Sequence, residues 1–445
     1  MSQGCSITPK PKTGAKRPNV IVILTDDQGS LDMGAYGAAD LQTPAMDRLA
    51  AQGVRFTQFY AGAPVCSPSR ACLLTGKSPQ AAGVPGNVAP ELSSPTGLPN
   101  AEVTLAERFQ QAGYRTALVG KWHLGHAPER LPSAQGFEHW FGHLVGCIDN
   151  RSHFFYWNGP NRHDLWRNGQ RVHADGEYFP DLMLQEACDF MQADRERPFL
   201  LYFAANAPHY PYQGDAEWLD YYERQGTPYP RDLYAGFLSS LDERLGALLD
   251  EVDRLGQTEN TIVVFQSDHG HSTEIRAHSG GGFAGPYRGA KFSLFEGGIR
   301  VPAIISWPGT LPANEVRDQP AHSADWVPTL LELCGLDAPT DVDGLSLASY
   351  LHDPHATLPE RTLIWQNGNS WAVRSGDWKL LFEPYDTTHS TSPPKRPEQD
   401  RLFLANLRQD VSESTNLALR HVEVVERLRD RYASWKAAGY RLGAR

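Results

Sequence analysis

Cys66-Ser67-Pro68-Ser69-Arg70 sets a thiol four positions from a guanidinium at the start of a predicted helix. Ala71-Cys72-Leu73-Leu74-Thr75 continues as a short apolar turn that Gly76 can close, so free N–H groups of the first turn should face Cys66 and attract negative charge. The pattern reads as an anion-handling nucleophile site; the plainer alternative is a buried cysteine beside a surface arginine. Acidic pairs add a second chemistry. Asp26-Asp27 and Asp268-His269 each follow an apolar run, and three carboxylates brought together repel unless a cation neutralises them. Oxygen ligands favour calcium, with magnesium as the other choice, over zinc, although His269 is a less usual partner for such hard ions. Either dipeptide alone reads more simply as a turn cap; two of them at strand ends point to metal. Arg70, Lys121, His123, His209 and Lys291 complete a positive, proton-handling set suited to a tetrahedral oxyanion: a planar fork, point charges, and imidazoles that titrate near neutrality. His209 also fits a core or turn histidine. Lys291 follows the glycine-rich stretch 279–289, where backbone can approach a ligand closely or simply form a surface loop.

These residues need elements to hold them. Apolar runs at 20–24, 116–119, 199–203 and 261–265 end respectively in Thr25-Asp26-Asp27, Gly120-Lys121-Trp122-His123, Ala207-Pro208-His209 (after a short gap) and Ser267-Asp268-His269. Their alternation with helical patterns predicts an α/β fold around a large, mostly parallel sheet flanked by helices, and ligands bind past the carboxyl ends of such strands. Thr43-Pro44 opens one helix, with Met46, Leu49 and Ala50 on one face. Leu105, Ala106 and Phe109 mark another, stopped by Gly113, and further helices are expected near 181–191 and 326–333. After about 354 the pattern changes to short antiparallel strands at 362–365, 371–374 and 378–382, closed by a helix over 422–437. The expected division is a catalytic domain over 17–354 and a smaller C-terminal domain over 355–445, with 387–399 as a mobile loop.

Composition narrows the function classes. The chain has 445 residues, 40% hydrophobic and 21% charged, enough for a large core. A formal charge of −11 argues against a nucleic-acid partner, which requires a basic stripe. No apolar run is long enough to span a bilayer. Cysteines 5, 66, 72, 147, 188 and 334 lack the paired spacing of a disulfide framework or zinc site. Residues 1–16 lack the apolar segment of a signal peptide, so a complete chain is expected in the cytoplasm; Gly4-Cys5-Ser6 also fits the mature start of a lipoprotein whose signal was removed, which would place it in the periplasm.

Taken together, these motifs resemble the type I, formylglycine-dependent sulfatases of the alkaline-phosphatase-like superfamily. The likeness covers nearly the whole chain. It rests on Thr25-Asp26-Asp27-Gln28-Gly29, on Cys66 to Arg70 with Leu73-Leu74-Thr75-Gly76, and on Gly120-Lys121-Trp122-His123-Leu124-Gly125. Ala207-Pro208-His209, Ser267-Asp268-His269-Gly270, and Lys291 with Phe295-Glu296-Gly297-Gly298-Ile299-Arg300-Val301-Pro302 complete it. The resemblance implies that a formylglycine-generating enzyme oxidises Cys66 to formylglycine, and that calcium (or magnesium) is held by Asp26, Asp27, Asp268, His269 and residue 66. It further implies that one hydroxyl of the aldehyde hydrate attacks sulfur and expels the alcohol, and that loss of a proton from the other ejects sulfate. Arg70 and Lys121 would stabilise the nucleophile and sulfuryl oxygens, His123 would assist the second deprotonation, and His209 with Lys291 would hold sulfate and protonate the leaving oxygen. Many members carry Asn where this chain has His269; others share the His.

Two alternatives stand beside this reading: a phosphonate monoester or phosphodiester hydrolase of the same superfamily, and a non-catalytic binder of sulfated sugars. The stretch 143–168 is rich in Trp, Tyr, Phe, His, Asn and Arg, as in His153-Phe154-Phe155-Tyr156-Trp157-Asn158-Gly159. Such a mix suits stacking on a sugar face and predicts an exo-acting carbohydrate sulfatase with a small sulfated substrate; an aromatic plug closing the cleft is the other reading. Nothing in the sequence sets the oligomeric state.

Overall fold

The computed structural model describes residues 16–91, 94–156, 161–392 and 401–440. Gly4-Cys5-Ser6, Trp157-Asn158-Gly159 and the second half of the 387–399 segment lie outside the described residues.

A ten-stranded sheet organises the chain, in the order Glu315–Arg317, Val54–Phe56, Ala303–Ser306, Thr261–Ser267, Asn19–Thr25, Phe199–Ala204, Arg115–Lys121, His139–His143, Trp166–Arg167 and Gln170–Arg171. The five strands from Thr261–Ser267 to His139–His143 run parallel. Antiparallel pairings appear toward both margins, where Ala303–Ser306 joins Thr261–Ser267 and Trp166–Arg167 joins His139–His143. The sheet is therefore mixed, with a parallel centre. The four apolar runs read from the sequence are direct neighbours in that centre, so their carboxyl ends open on one edge.

Both faces are buried, which explains why the central strands are continuous apolar runs. Alternation at period two sends Ile21, Ile23, Leu201, Phe203, Val263 and Phe265 into one core. Val20, Val22, Leu200, Tyr202, Ile262 and Val264 enter the other. Helices Pro44–Ala51, Phe179–Ala193 and Arg231–Arg254 cover the first face, and Cys66–Thr75, Leu105–Gln111 and Trp326–Leu333 the second. Local signals set their ends. Pro44 stands at the first helical position with Thr43 as N-cap; Thr104 and Glu107 form a reciprocal capping box; Gly76, at φ 69°, ends the Cys66 helix by donating its N–H to the Cys72 carbonyl. The 24-residue helix Arg231–Arg254 has no counterpart in the sequence analysis, although Tyr234, Phe237, Leu238, Leu241, Leu245, Leu248 and Val252 recur at helical spacing.

Two glycines shape the edge that carries Lys121. Gly120 (φ 117°) and Gly142 (φ 144°) are partners in adjacent strands, and a Cβ on Gly142 would lie 1.8 Å from the Gly120 carbonyl oxygen. Gly142→Ala is expected to lower stability by about 2–4 kcal/mol. Gly169→Ala, also at positive φ but with nothing within 4 Å, should cost only about 1 kcal/mol. Chemical denaturation of the two variants tests this; equal losses would refute the close-approach argument.

Beyond the main sheet, Thr362–Asn367, Ser370–Ser375, Trp378–Phe382 and Leu402–Asn406 form an antiparallel sheet. The first three match expectation; the fourth strand was not read. Helix Val422–Ala437 packs Val424, Val425, Leu428 and Trp435 on one face. The other face meets Tyr60, Leu294, Phe295 and Ile299. The expected mobile loop is corrected at its start: Thr387 is buried, and its hydroxyl donates to the Ala290 and Lys291 carbonyls and accepts from Ala290 N–H. Among the described residues, no helix is long and apolar enough to cross a membrane.

Candidate active site

Asp26 and Asp27 follow strand Asn19–Thr25, Lys121 ends Arg115–Lys121, and Asp268 and His269 follow Thr261–Ser267. His209 comes five residues after Phe199–Ala204. Cys66 begins helix Cys66–Thr75, whose ten residues are all buried. Sγ of Cys66 lies 3.3 Å from His269 Nε2 and 3.8 Å from Asp26 Oδ1. Lys121 Nζ is 2.6 Å from Asp26 Oδ2, and Arg70 Nη2 donates to Asp268 Oδ2 at 3.0 Å while Nη1 donates to the Lys121 carbonyl at 3.1 Å. Lys291 Nζ donates to Asp27 Oδ2 at 3.0 Å, His209 Nε2 is 3.6 Å from that oxygen, and His269 Nδ1 is 3.5 Å from Asp27 Oδ1. His123 (φ 57°) joins Cys66, His209 and Lys291 in lining one cleft, with its ring close over Gly146. Every residue expected at the site is thus found in one cluster.

Three details bear on the expectations and their alternatives. Most helix-start amides are already engaged: Ser67 N–H donates to Asn87 Oδ1 at 3.0 Å, Ser69 N–H to the Val65 carbonyl at 3.2 Å, and Pro68 has none. Arg70, Lys121 and Lys291 carry the anion attraction instead. Arg70 is fully buried, not a surface residue. The glycine-rich stretch before Lys291 packs on protein: Phe283 N–H donates to Asp32 Oδ2, Leu31 N–H donates to the Phe283 carbonyl, and a Cβ on Gly29 would sit 2.4 Å from that carbonyl oxygen.

The electrostatics are those of crowded charge. Burial, with Asp26 as a neighbour, pushes Asp27 up to about 8 and Asp268 up to about 6 against the pull of Lys291, His269 and Arg70. Burial also acts to raise Asp26, but Lys121, His209 and Arg70 hold it well below the usual carboxylate range. Burial raises the Cys66 thiol too, yet Lys121 and Lys291 prevail and bring it to about 6. His123 is held far below the ordinary imidazole range by burial and by Lys121 and Arg70. One ligand atom each from Asp26, Cys66, Asp268 and His269 lies within 4.8 Å of the others, and Asp26, Asp27, Cys66 and His209 form an overlapping group. Three buried carboxylates, two of them driven toward protonation, with Asp27 Oδ1 accepting no aligned hydrogen bond, fit a hard divalent cation.

Sequence reasoning missed the rest of the cleft. Glu274 Oε2 is 3.4 Å from Lys291 Nζ, Arg276 Nη2 donates to Glu274 at 2.9 Å, and both line the cleft with Asn87, Phe155 and Phe292. An acid and a base two apart in a loop just past Asp268 could have revealed them. Asp32 was also missed. It accepts from Gly29 N–H and Tyr234 Oη and pairs with Arg231, fixing the loop that bears Asp26 and Asp27.

A buried thiol ringed by three cations and three carboxylates, at the open edge of a parallel sheet, defines a hydrolase built for an anionic ester. Residues 18–336 match the family described as Sulfatase. N-acetylgalactosamine-6-sulfatase of Rattus norvegicus is 37% identical over 387 residues, spanning 81% of this chain and 71% of that protein. Arylsulfatase A of Bos taurus is 36% identical over 444 residues, spanning 91% and 84%. Among solved structures, Ps i-CgsB in complex with k-i-k-neocarrahexaose superposes with a TM-score of 0.83 at 27% identity, covering 94% of this chain and 93% of that one. The chain belongs to the sulfatase family and is a sulfuric ester hydrolase.

Proposed function

We propose that this enzyme is an exo-acting carbohydrate sulfatase whose nucleophile is residue 66, converted from cysteine to formylglycine. The observation that carries the reading is the placement of Cys66, with its sulfur against His269 and Asp26 at the base of the cleft that Lys291, His209 and His123 share. The thiol is 2% exposed, so a formylglycine-generating enzyme must act before the fold closes. The cleft wall of Phe155 beside Asn87, Glu274 and Arg276 suits a sugar ring: one apolar face among hydrogen-bonding groups. The names of the N-acetylgalactosamine-6-sulfatase relative and of the k-i-k-neocarrahexaose complex point the same way.

Asp26, Asp27, Asp268, His269 and residue 66 would hold a calcium ion, with magnesium as the alternative. Such a cation supplies charge neutralisation and Lewis acidity toward sulfuryl oxygens. Arg70 and Lys121, both without exposed surface, hold the carboxylates and residue 66 in register. Lys291 keeps its proton, since Asp27 and Cys66 outweigh the burial that acts to remove it, and so can bind a sulfate oxygen. Nδ1 of His209 faces the Tyr210 carbonyl at 2.7 Å, leaving Nε2 toward the cleft. To protonate the departing alcohol oxygen, His209 must first take a second proton, which a bound sulfate ester's negative charge favours. His123 lines the same cleft with a buried Nδ1 that has no hydrogen-bond partner among the described residues, and is placed to take the proton whose loss from residue 66 releases sulfate and restores the aldehyde; burial, Lys121 and Arg70 oppose that protonation, and the negative charge of bound sulfate favours it.

Mass spectrometry of the peptide containing residue 66, from protein made in its native host, should show the aldehyde or its hydrate. An intact thiol there would favour a non-catalytic binder of sulfated sugars. Turnover of sulfated mono- and disaccharides should exceed that of a phosphodiester by far and vary sharply between sugars. A tenfold preference for the phosphodiester, about 1.4 kcal/mol in barrier, would give the phosphonate or phosphodiester reading the better claim. Equal rates on every sulfated sugar and on a plain aryl sulfate would remove the sugar site.

A further inference from the structure

We propose that His153, His163 and Asp175 hold a second metal ion, a transition metal of the zinc class, that staples the wall of the catalytic cleft. The two imidazoles belong to a short antiparallel ribbon in which Phe154 pairs with His163 and Phe155 with Arg162. His153 is fully buried and His163 is 5% exposed. Among the described residues the Glu177 backbone is the one hydrogen-bond partner in reach of His153, and its geometry is poor; the His163 nitrogens have none. A neutral imidazole carries one donor and one acceptor, and each buried polar atom left unpaired costs about 1–3 kcal/mol. Two neighbouring buried rings so poorly paired suit a metal ion as their common partner. His153 also holds φ 59°, a left-handed conformation uncommon for a residue with a side chain.

Geometry selects the ligand. One atom each from His153, His163 and Asp175 lies within 4.8 Å of the others, and His163 Nε2 is 4.0 Å from Asp175 Oδ1. Zinc bonds of about 2.0–2.2 Å place tetrahedral ligand atoms roughly 3.4 Å apart; the His163–Asp175 pair closes to that by less than about 1 Å through the mostly exposed Asp175 side chain, and no pair in the group needs more than about 1.4 Å. Water is the expected fourth ligand, while His173, stacked on His163 at 4.6 Å between centroids, holds that ring in place. Two nitrogens and one oxygen favour zinc, copper or nickel over calcium, the opposite of the oxygen-rich set around Cys66. The ion would lock the ribbon that Asp164 N–H to His153 carbonyl (2.9 Å) and Asp149 N–H to Phe154 carbonyl (2.9 Å) already hold, and with it Phe155 on the cleft wall.

The test uses the full chain carrying Cys66→Ala and Asp26→Asn, which disables the catalytic cluster as a competing zinc site. After chelator treatment and zinc addition, elemental analysis should find one tightly held zinc per chain, and zinc should raise Tm by mass action. Adding His153→Ala with His163→Ala should abolish both effects. Because those changes enter a buried region, Asp175→Asn serves as the mild variant and should weaken zinc binding at least about tenfold with Tm in the absence of metal unchanged. Zinc content below about 0.1 per chain before the histidines are touched, or affinity unaltered by Asp175→Asn, would overturn the proposal.

Discussion

Cys66→Ala is expected to lower kcat/KM on any sulfate ester the enzyme hydrolyses by at least about 10⁴-fold, the scale seen when a covalent nucleophile is deleted, while Tm moves by no more than about 2–4 °C. The asymmetry follows from where the side chain sits. Its sulfur meets His269 and Asp26 at the cleft base, a polar environment, so the deletion removes reactivity without opening an apolar cavity. Alanine also cannot be oxidised to an aldehyde, so the maturation step and the chemistry are lost together. Initial rates at saturating and limiting substrate, with a thermal melt of the same sample, check both halves. Residual activity above about one per cent of the parent in a well-folded sample would show that residue 66 is not the nucleophile.

Lys379→Met should be the most destabilising single change toward the C-terminal end of the fold, by about 3–5 kcal/mol. Lys379 Nζ lies 2.8 Å from Glu296 and 3.0 Å from Glu413, and all three side chains are fully buried. Burial acts to raise Glu296, but Lys379, Arg300 and Arg374 hold it at about 2, whereas burial pushes Glu413 up to about 7 in spite of Lys379. Removing the ammonium leaves a charged carboxylate without its principal partner. Methionine fills most of the volume, so the loss is electrostatic and not a cavity effect. Glu413→Gln on the same background should restore part of the stability, because it deletes one of the stranded acids. A denaturation midpoint within about 1 kcal/mol of the parent for the single variant would mean that the buried trio is dispensable.

Much of this architecture is written locally. The runs at 20–24, 116–119, 199–203 and 261–265 are almost wholly apolar, with Thr116 and Thr261 at the start of two of them, because both faces of the central strands are covered, and the charged residues just past them are then conspicuous. Pro44, the Thr104 cap and Gly76 fix helix ends by short-range chemistry that a sequence displays. What was lost depends on distance. The order of strands and the antiparallel margins arise from pairings between residues far apart in the chain, and several of the marginal strands are two or three residues long. Anion attraction at the Cys66 helix was assigned to its amides because Asn87, which occupies one of them, comes twenty positions later. Glu274 and Asp32 escaped notice because their partners, Lys291, Tyr234 and Arg231, become neighbours only in the fold, whereas the local pair of Glu274 with Arg276 was legible. The helix Arg231–Arg254 is a second such case: its periodic apolar face was legible.

Thr387 bears on the order of events on the ribosome. Its hydroxyl fastens the backbone of Ala290 and Lys291 from 96 positions downstream of the lysine, and its carbonyl accepts from Thr273 across the same loop. A nascent chain can assemble the central parallel strands long before that threonine emerges, but the backbone that presents the ammonium to Asp27 is fastened on this side only afterwards. A polypeptide stopped short of it also loses strand Leu402–Asn406, helix Val422–Ala437 and Glu413, so late nonsense variants should be inert and poorly soluble.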